Sequence, residues 1–305
     1  MTEQLAPVIS DSPERTQLLV SIYLPTHNRV GCLTRAVDSL LSQTYGAIEL
    51  IVIDDASSDG TAKFLRERAR ADRRLRVISN ANSRGAPASR NIAIASSKGA
   101  FVTGLDDDDE FLPHRIESFV DRWTWLTARG IKVSCLYAQE IWTRHGTPCL
   151  ITRKKPVVTA SEMFEENYVG NQIFAPRGHF IKAGLFDEKL PAWQDLEFFM
   201  RVLKEFGPAY LVDRPTYLYD ATPRGDRISE QPGKVRKAFE LVAAKHARDN
   251  AAQARALFLL VFQGGYQIPP GLADWARFLS WGGRPKGIVR LLRATIANRL
   301  RRILA

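Results

Sequence analysis

Cysteine is scarce: Cys32, Cys135 and Cys149 are the only three in 305 residues. They lie far apart without CxxC spacing, so the chain offers neither a disulfide framework nor a cysteine zinc site and suits a reducing compartment. Long apolar runs are missing too. The longest, "ALFLLVF" at 256–262, is far too short for a bilayer, which takes about 20 residues to cross. The first residues, "MTEQLAPVISDSPER", carry acids and prolines where a secretory signal would be basic and then apolar, and they read as a loose tail over 1–17. Acid is absent after Asp274, whereas Arg277, Arg284, Lys286, Arg290, Arg293, Arg299, Arg301 and Arg302 follow, so the last 31 residues hold +8 of the formal +10. The remainder is nearly neutral, which argues against a nucleic-acid partner.

What is present in the first third is alternation. Apolar, β-rich runs at 18–24, 48–53, 75–79 and 100–105 are separated by amphipathic stretches around 31–44, 61–71 and 87–97. Strands apolar along their whole length, with helices between them, predict an α/β fold whose mainly parallel sheet is flanked by helices on both faces. Ligands bind such sheets at the carboxyl ends of the strands. There the sequence places "PTHNR" (25–29), "DDASSDGT" (54–61) and "DDDDE" (106–110). Further on come a helix from Pro113 to 128, a strand at 132–142, a polar turn at 143–149, an irregular stretch to 170, a helix at 195–206 and a strand at 209–220. A Pro/Gly/Ser-rich loop over 221–233 precedes helices expected at 234–250, 252–263, 271–281 and 286–304. The expected organisation is a tail (1–17), an α/β unit (18–222) in two halves, 18–110 and 111–222, and a loop with a helical C-terminal region (223–305).

Asp106–Asp109 is the densest charge in the chain. Acids ahead of Pro113 can cap a helix, but one or two suffice for that. Adjacent carboxylates roughly 6 Å apart repel by about 3 kcal/mol at an effective dielectric of about 20, so four at one strand end call for a cation. Hard ions such as Mg²⁺ or Mn²⁺ take oxygen ligands, and Mg²⁺ combines one or two carboxylates with water and substrate phosphates. In an extended stretch Asp106 and Asp108 face one way, Asp107 and Asp109 the other.

Four segments, "VSIYLPTHNR", "IELIVIDDASSDGT", "ASRNIAIASSKGAFVTGLDDDDEF" and "AWQDLEFFMRVL", resemble in order and spacing the motifs of the family 2 inverting glycosyltransferases, over about 18–220. The resemblance implies a GT-A fold, a nucleotide-diphosphosugar donor (UDP foremost), Mg²⁺ or Mn²⁺, and inverting transfer to a hydroxyl of a glycan or lipid-linked acceptor in bacterial polysaccharide or lipopolysaccharide synthesis. It makes 18–110 the nucleotide-binding half and 111–222 the acceptor half. Carried over by position, Pro25 and Thr26 approach the base through their backbone and His27 stacks on it. Asp55 contacts base or ribose, and Arg90 helps hold the nucleotide. Asp106 and Asp107 face the nucleotide, Asp108 is the direct metal ligand, and Asp106 stands beside it at the ion. Asp195 is the base that removes the acceptor's proton; Gln194 stands where relatives have Glu, and a simple helix cap is the other reading of Asp195. Arg224, Arg227 and Ser229 belong to a loop over the diphosphate. Trp193 is a sugar platform or a core residue.

The C-terminal segment "RPKGIVRLLRATIANRLRRILA" repeats apolar residues at helical spacing among arginines. It can lie on an anionic membrane, placing the protein peripherally on the inner face of the cytoplasmic membrane, or it can pack on the α/β unit. Two other classes compete: a nucleotidyltransferase, which wants a glycine-rich phosphate loop that "LPTHNR" lacks, and a non-catalytic membrane adaptor, which needs neither the aspartates nor Asp195.

Overall fold

A computed structural model describes residues 18–224, 231–263, 266 and 268–304, with side chains as far as Ala297. The expected tail, 1–17, lies outside the described residues. Strand β1 (Val20–Thr26) is buried at every position. It pairs in parallel with β2 (Ile48–Asp54) on one side and β4 (Phe101–Gly104) on the other, and β3 (Leu75–Ser79) extends the sheet beyond β2. The crossovers are α1 (Val30–Leu41), α2 (Thr61–Ala71) and α3 (Ala86–Ser96). The short antiparallel β9 (Ala175–Pro176) closes the other edge, giving the order β3-β2-β1-β4-β9.

After β4 the chain enters a second sheet. Its order is β5 (Glu110–Phe111), β10 (Ala209–Asp220), β6 (Leu136–Arg144), β7 (Thr147–Ile151), with β8 (Val157–Val158) also beside β10. Only the β6–β10 pair is parallel, so this half is mixed. The expected polar turn at 143–149 contains the start of β7. His145 (φ 49°) and Gly146 (φ 76°) form a two-residue turn with both central residues left-handed, the geometry whose twist joins adjacent strands. Leu136 and Phe174 exchange backbone hydrogen bonds of 2.8 and 2.9 Å, which ties the two sheets together just before β9.

Alternation along β1 distributes the core. Val20, Ile22 and Leu24 pack with α1 and α4 (Arg115–Thr127), while Tyr23 faces the layer of α3, α5 (Arg177–Lys182) and α6 (Gln194–Phe206). The same second cluster takes in α7 (Pro232–His246), α8 (Ala251–Leu260), Phe278 of α9 (Leu272–Ser280) and Leu291 of α10 (Pro285–Leu304). Packing on the α/β unit and presenting an apolar face are therefore not alternatives for α10. Leu291 is fully buried, whereas Val289, Leu292 and Ile296, at i, i+3 and i+7, are 46, 47 and 56% exposed on the far side.

Helix α6 is fastened to α7 through Glu197, whose fully buried carboxylate meets Lys245 at 2.6 Å, Arg201 at 2.8 Å and His246 at 2.9 Å. Burial works against its charge, but hydrogen bonds from His246, Arg201 and Lys245 outweigh it and hold its pKa at about 2. A depressed pKa contributes stability that is present above the ordinary value of 4.5 and lost as pH falls toward 2. Glu197→Gln removes the carboxylate shared by Arg201, Lys245 and His246, while Lys245 keeps Asp187 and Arg201 keeps the Ala183 and Leu185 carbonyls, and we expect it to cost about 1.5–3 kcal/mol in urea unfolding at neutral pH. The gap from the parent protein should narrow as the pH is lowered below the ordinary carboxylate range; a gap independent of pH contradicts the assignment.

Candidate active site at the strand ends

The carboxyl ends of β1, β2 and β4 lie side by side, since Thr26 pairs with Asp54 and Tyr23 with Gly104. Polar residues just beyond these points converge. The acidic segment is a turn rather than an extended run: the Asp109 backbone N–H donates to the Asp106 carbonyl at 3.1 Å as the chain doubles back from β4 into β5. The expected two-faced alternation of the four aspartates is therefore lost, and each carboxylate points to a different partner. Asp106 accepts from the Arg90 guanidinium at 2.7 Å and from the Gln172 amide at 3.2 Å. Asp107 accepts from the Thr26 hydroxyl at 2.7 Å, and Asp108 pairs with Arg224. Asp109, 2% exposed, accepts from the Tyr217 hydroxyl at 2.6 Å and the Asp220 backbone N–H at 2.8 Å.

These contacts correct the inference that four adjacent carboxylates demand an external cation. The fold supplies two guanidinium ions of its own, and burial pushes the Asp107 pKa up to about 6 and that of Asp109 well above the usual range. Gly104 leaves room for the Tyr23–Gln172 contact beside the turn, because a Cβ there would fall on the Tyr23 ring and the Gln172 side chain. Tyr23 donates to Gln172 at 2.7 Å, completing a Tyr23–Gln172–Asp106–Arg90 chain of contacts.

Pro25 and Thr26 are the last residues of β1, in register with Ile53 and Asp54. His27 follows on the surface, its Nδ1 donating to the Asp55 carbonyl at 2.6 Å while Nε2 accepts from the Asn28 amide at 3.1 Å. Asp55 was expected at base or ribose, yet its carboxylate is spent on the protein. It accepts from Asn80 (2.7 Å), Ser83 (2.8 Å) and the backbone N–H groups of Arg84 (2.9 Å) and Gly85 (2.8 Å), holding the loop that leads into α3 and hence Arg90. Burial raises its pKa, but the bonds from Arg84, Asn80, Ser83 and Gly85 prevail and keep it below the ordinary value.

Asp195 lies in the first turn of α6, one residue inside the helix. The N-cap position belongs to Trp193, which has φ 59° and no capping side-chain bond, so Asp195 is not the N-cap residue itself. Burial raises the Asp195 pKa, opposed by the Leu196 N–H and the Arg90 charge and reinforced by Asp106, so the carboxylate senses the Arg90–Asp106 pair directly. It accepts from the Asn167 amide at 3.1 Å, and Asn167 also donates to the Gly170 carbonyl at 2.9 Å. Gln194 turns inward to donate to the Leu190 carbonyl at 3.0 Å. Of the two readings of Trp193, sugar platform or core residue, the structure favours the core: it is 6% exposed and its Nε1 donates to the Tyr266 hydroxyl at 2.9 Å. Arg227 and Ser229 fall outside the described residues. Tyr23, Asn167 and Gln172 were missed by sequence reasoning, because a core-like tyrosine and two amides in an irregular stretch carry no periodic signal.

Asp106 and Asp108 keep partial exposure, 27 and 17% of their side chains, and present hard oxygen donors. Among the described residues no group of three His, Cys, Asp or Glu side chains could hold a metal by itself. This donor set fits an ion completed by phosphate and water oxygens, not an all-protein cage.

The profile of the family described as "Glycosyl transferase family 2" matches residues 21–167. The putative colanic acid biosynthesis glycosyl transferase WcaA of Escherichia coli (strain K12) is 31% identical over 263 residues, covering 86% of this chain and 92% of its own. The crystal structure of S. aureus TarS 1–349 in complex with UDP-GlcNAc superposes with a TM-score of 0.65 at 18% identity, over 92% of this chain and 89% of that one. Mannosyltransferase PcManGT from Pyrobaculum calidifontis, in complex with GDP-Man and Mn²⁺, superposes with a TM-score of 0.56 at 16% identity, over 95% of this chain and 88% of its own.

Asp55→Asn keeps the shape of the side chain but replaces one acceptor oxygen with a donor facing N–H groups. We expect a loss of about 2–3 kcal/mol in unfolding free energy, with faster amide exchange at Arg84 and Gly85. Unchanged exchange there contradicts the anchoring role.

Proposed function

Given that this chain belongs to glycosyl transferase family 2, and is therefore a glycosyltransferase of GT-A fold, we propose that it moves a sugar, with inversion, from a nucleotide-diphosphosugar to a hydroxyl of a glycan or lipid-linked saccharide in polysaccharide synthesis. Family membership sets aside the nucleotidyltransferase and adaptor readings. The observation that carries the proposal is the convergence at the strand ends of the partly open Asp106 and Asp108 with the half-buried Asp195 in the first turn of α6, whose carboxylate feels the charges of Arg90 and Asp106. Support for the donor class comes from TarS, solved with UDP-GlcNAc, and PcManGT, solved with GDP-Man and Mn²⁺. UDP is the nucleotide we put first, and colanic acid biosynthesis, named for WcaA, supports a polysaccharide product.

In this reading the loop after β1, with Pro25, Thr26 and His27, lines the base, while Asp55 acts through the 80–85 loop it holds. Arg90 fixes Asp106 toward the nucleotide. Mg²⁺ or Mn²⁺, held by Asp108 with Asp106 beside it, supplies when bound a Lewis acid for the departing diphosphate. Asp195 takes the proton of the attacking hydroxyl as the bond forms, because no free carboxylate is basic enough to ionise an alcohol beforehand. Its burial raises its basicity, and Asn167 fixes its orientation. Among the described residues no helix is long and apolar enough to cross a membrane. The exposed Val289–Leu292–Ile296 stripe, with Lys286 and Arg293 alongside it on the helical wheel, supports a peripheral seat on the anionic inner face of the cytoplasmic membrane.

Asp195→Asn is expected to lower turnover by about 10²- to 10⁴-fold while leaving nucleotide-sugar binding intact. In the parent enzyme the rate should rise with pH through a transition above the usual carboxylate range; unchanged turnover in the variant removes Asp195 as the base. Because Leu291 belongs to the core, the membrane seat is better tested by Leu292→Ser with Ile296→Ser than by deletion. This variant should keep its stability within about 0.5 kcal/mol and lose sedimentation with phosphatidylglycerol vesicles, and full retention on vesicles defeats the seat.

A further inference from the structure

The two arginines at the acidic tip are held differently. Arg90 projects from the regular helix α3, lies over the Phe186 ring at 5.4 Å and meets Asp106 at 2.7 Å. Arg224 comes from the chain beyond the end of β10 at Asp220, where Ala221 still bonds the Thr143 carbonyl at 2.7 Å and Thr222 bonds the Asp220 carboxylate at 2.8 Å. It pairs with Asp108 while both side chains are largely covered, 21 and 17% exposed, and its charge also reaches Asp107. Asp108 is the carboxylate that the proposed function gives to the ion. A guanidinium and a divalent cation compete for the same oxygens and repel each other, so occupancy by one disfavours the other.

We propose that Arg224 is a built-in cation that holds Asp108 in the nucleotide-free protein and yields it to a divalent ion when a nucleotide diphosphate offers the guanidinium a replacement anion. The inference rests on the ion and donor assigned above. It makes ion and nucleotide uptake mutually dependent: whatever factor UDP adds to the affinity for Mn²⁺, Mn²⁺ adds to the affinity for UDP. The ion alone meets a site already neutralised, and the nucleotide alone meets an arginine already engaged. Together they exchange partners, the carboxylate passing to the ion and the guanidinium to the diphosphate, with charge balanced throughout.

The test is Mn²⁺ binding read by the electron paramagnetic resonance of free Mn²⁺, with and without UDP, in the parent protein and in Arg224→Gln, Arg224→Lys and Arg29→Gln. Arg29 also acts on Asp107 by its charge and reports the general field. We expect Arg224→Gln to bind Mn²⁺ alone about tenfold more tightly than the parent and to lose about tenfold of the UDP-to-Mn²⁺ coupling. Arg224→Lys should fall between them, and Arg29→Gln should shift the affinity for Mn²⁺ alone by less than about threefold. Equal Mn²⁺ affinity in the parent and Arg224→Gln without UDP overturns the exchange, as does an Arg29→Gln effect as large as that of Arg224→Gln. In both cases normal Mn²⁺ binding in the presence of UDP leaves the donor and ion assignment standing. Failure of every protein to bind Mn²⁺ even with UDP overturns that assignment and the exchange with it.

Discussion

Four carboxylates confined to the turn after β4 repel one another, and the fold must compensate them before any ligand arrives. The protein divides the task. Asp106 and Asp108 receive guanidinium partners, Asp107 receives a threonine hydroxyl, and Asp109 is buried against a tyrosine hydroxyl and a backbone N–H. The first pair stays partly open and the last is sealed. A strand end that looks uniformly acidic in sequence is thus graded, from a structural carboxyl that anchors β10 to carboxylates exposed enough to meet a ligand.

That compensation reaches through the rest of the architecture. Arg90 is useful only if α3 begins at the right place, and the Asp55 carboxylate secures this by binding the loop ahead of it. Asp195 is useful only if α6 is rigid, and Glu197, two residues on, ties that helix to α7 through Lys245 and His246 while Arg201 of α6 itself holds the same carboxylate. Asn167, from the stretch between the second sheet and β9, reaches the same carboxylate. The C-terminal helices belong to the core cluster that backs α6, so the region beyond β10 is part of the scaffold behind the candidate base.

Much of this was legible in the sequence because it rests on local pattern. Short apolar, β-rich runs alternating with amphipathic stretches read as buried parallel strands, and the helices at 61–71 and 195–206 stand within a residue of their expected bounds. The polar clusters fell at strand ends, where topology brings them together. What escaped depends on long-range contacts or on single backbone angles. The hairpin at His145–Gly146 needs two left-handed residues that composition alone does not mark. Trp193 reads equally well as a platform or as core until Tyr266 is seen to receive its N–H. The turn at Asp106–Asp109 removed the expected two-faced alternation of the aspartates, because β5 pairs antiparallel with β10 from more than a hundred residues away.

The central claim is that the partly open carboxylates after β4 hold a divalent ion against the diphosphate of an activated sugar. Anomalous diffraction from crystals grown with Mn²⁺ and UDP tests it most directly. The account predicts an anomalous peak bonded to an Asp108 oxygen and to the diphosphate, with the Asp195 carboxylate facing the side where the sugar would sit. Density for UDP without such a peak, with Asp108 still paired to Arg224, would contradict it.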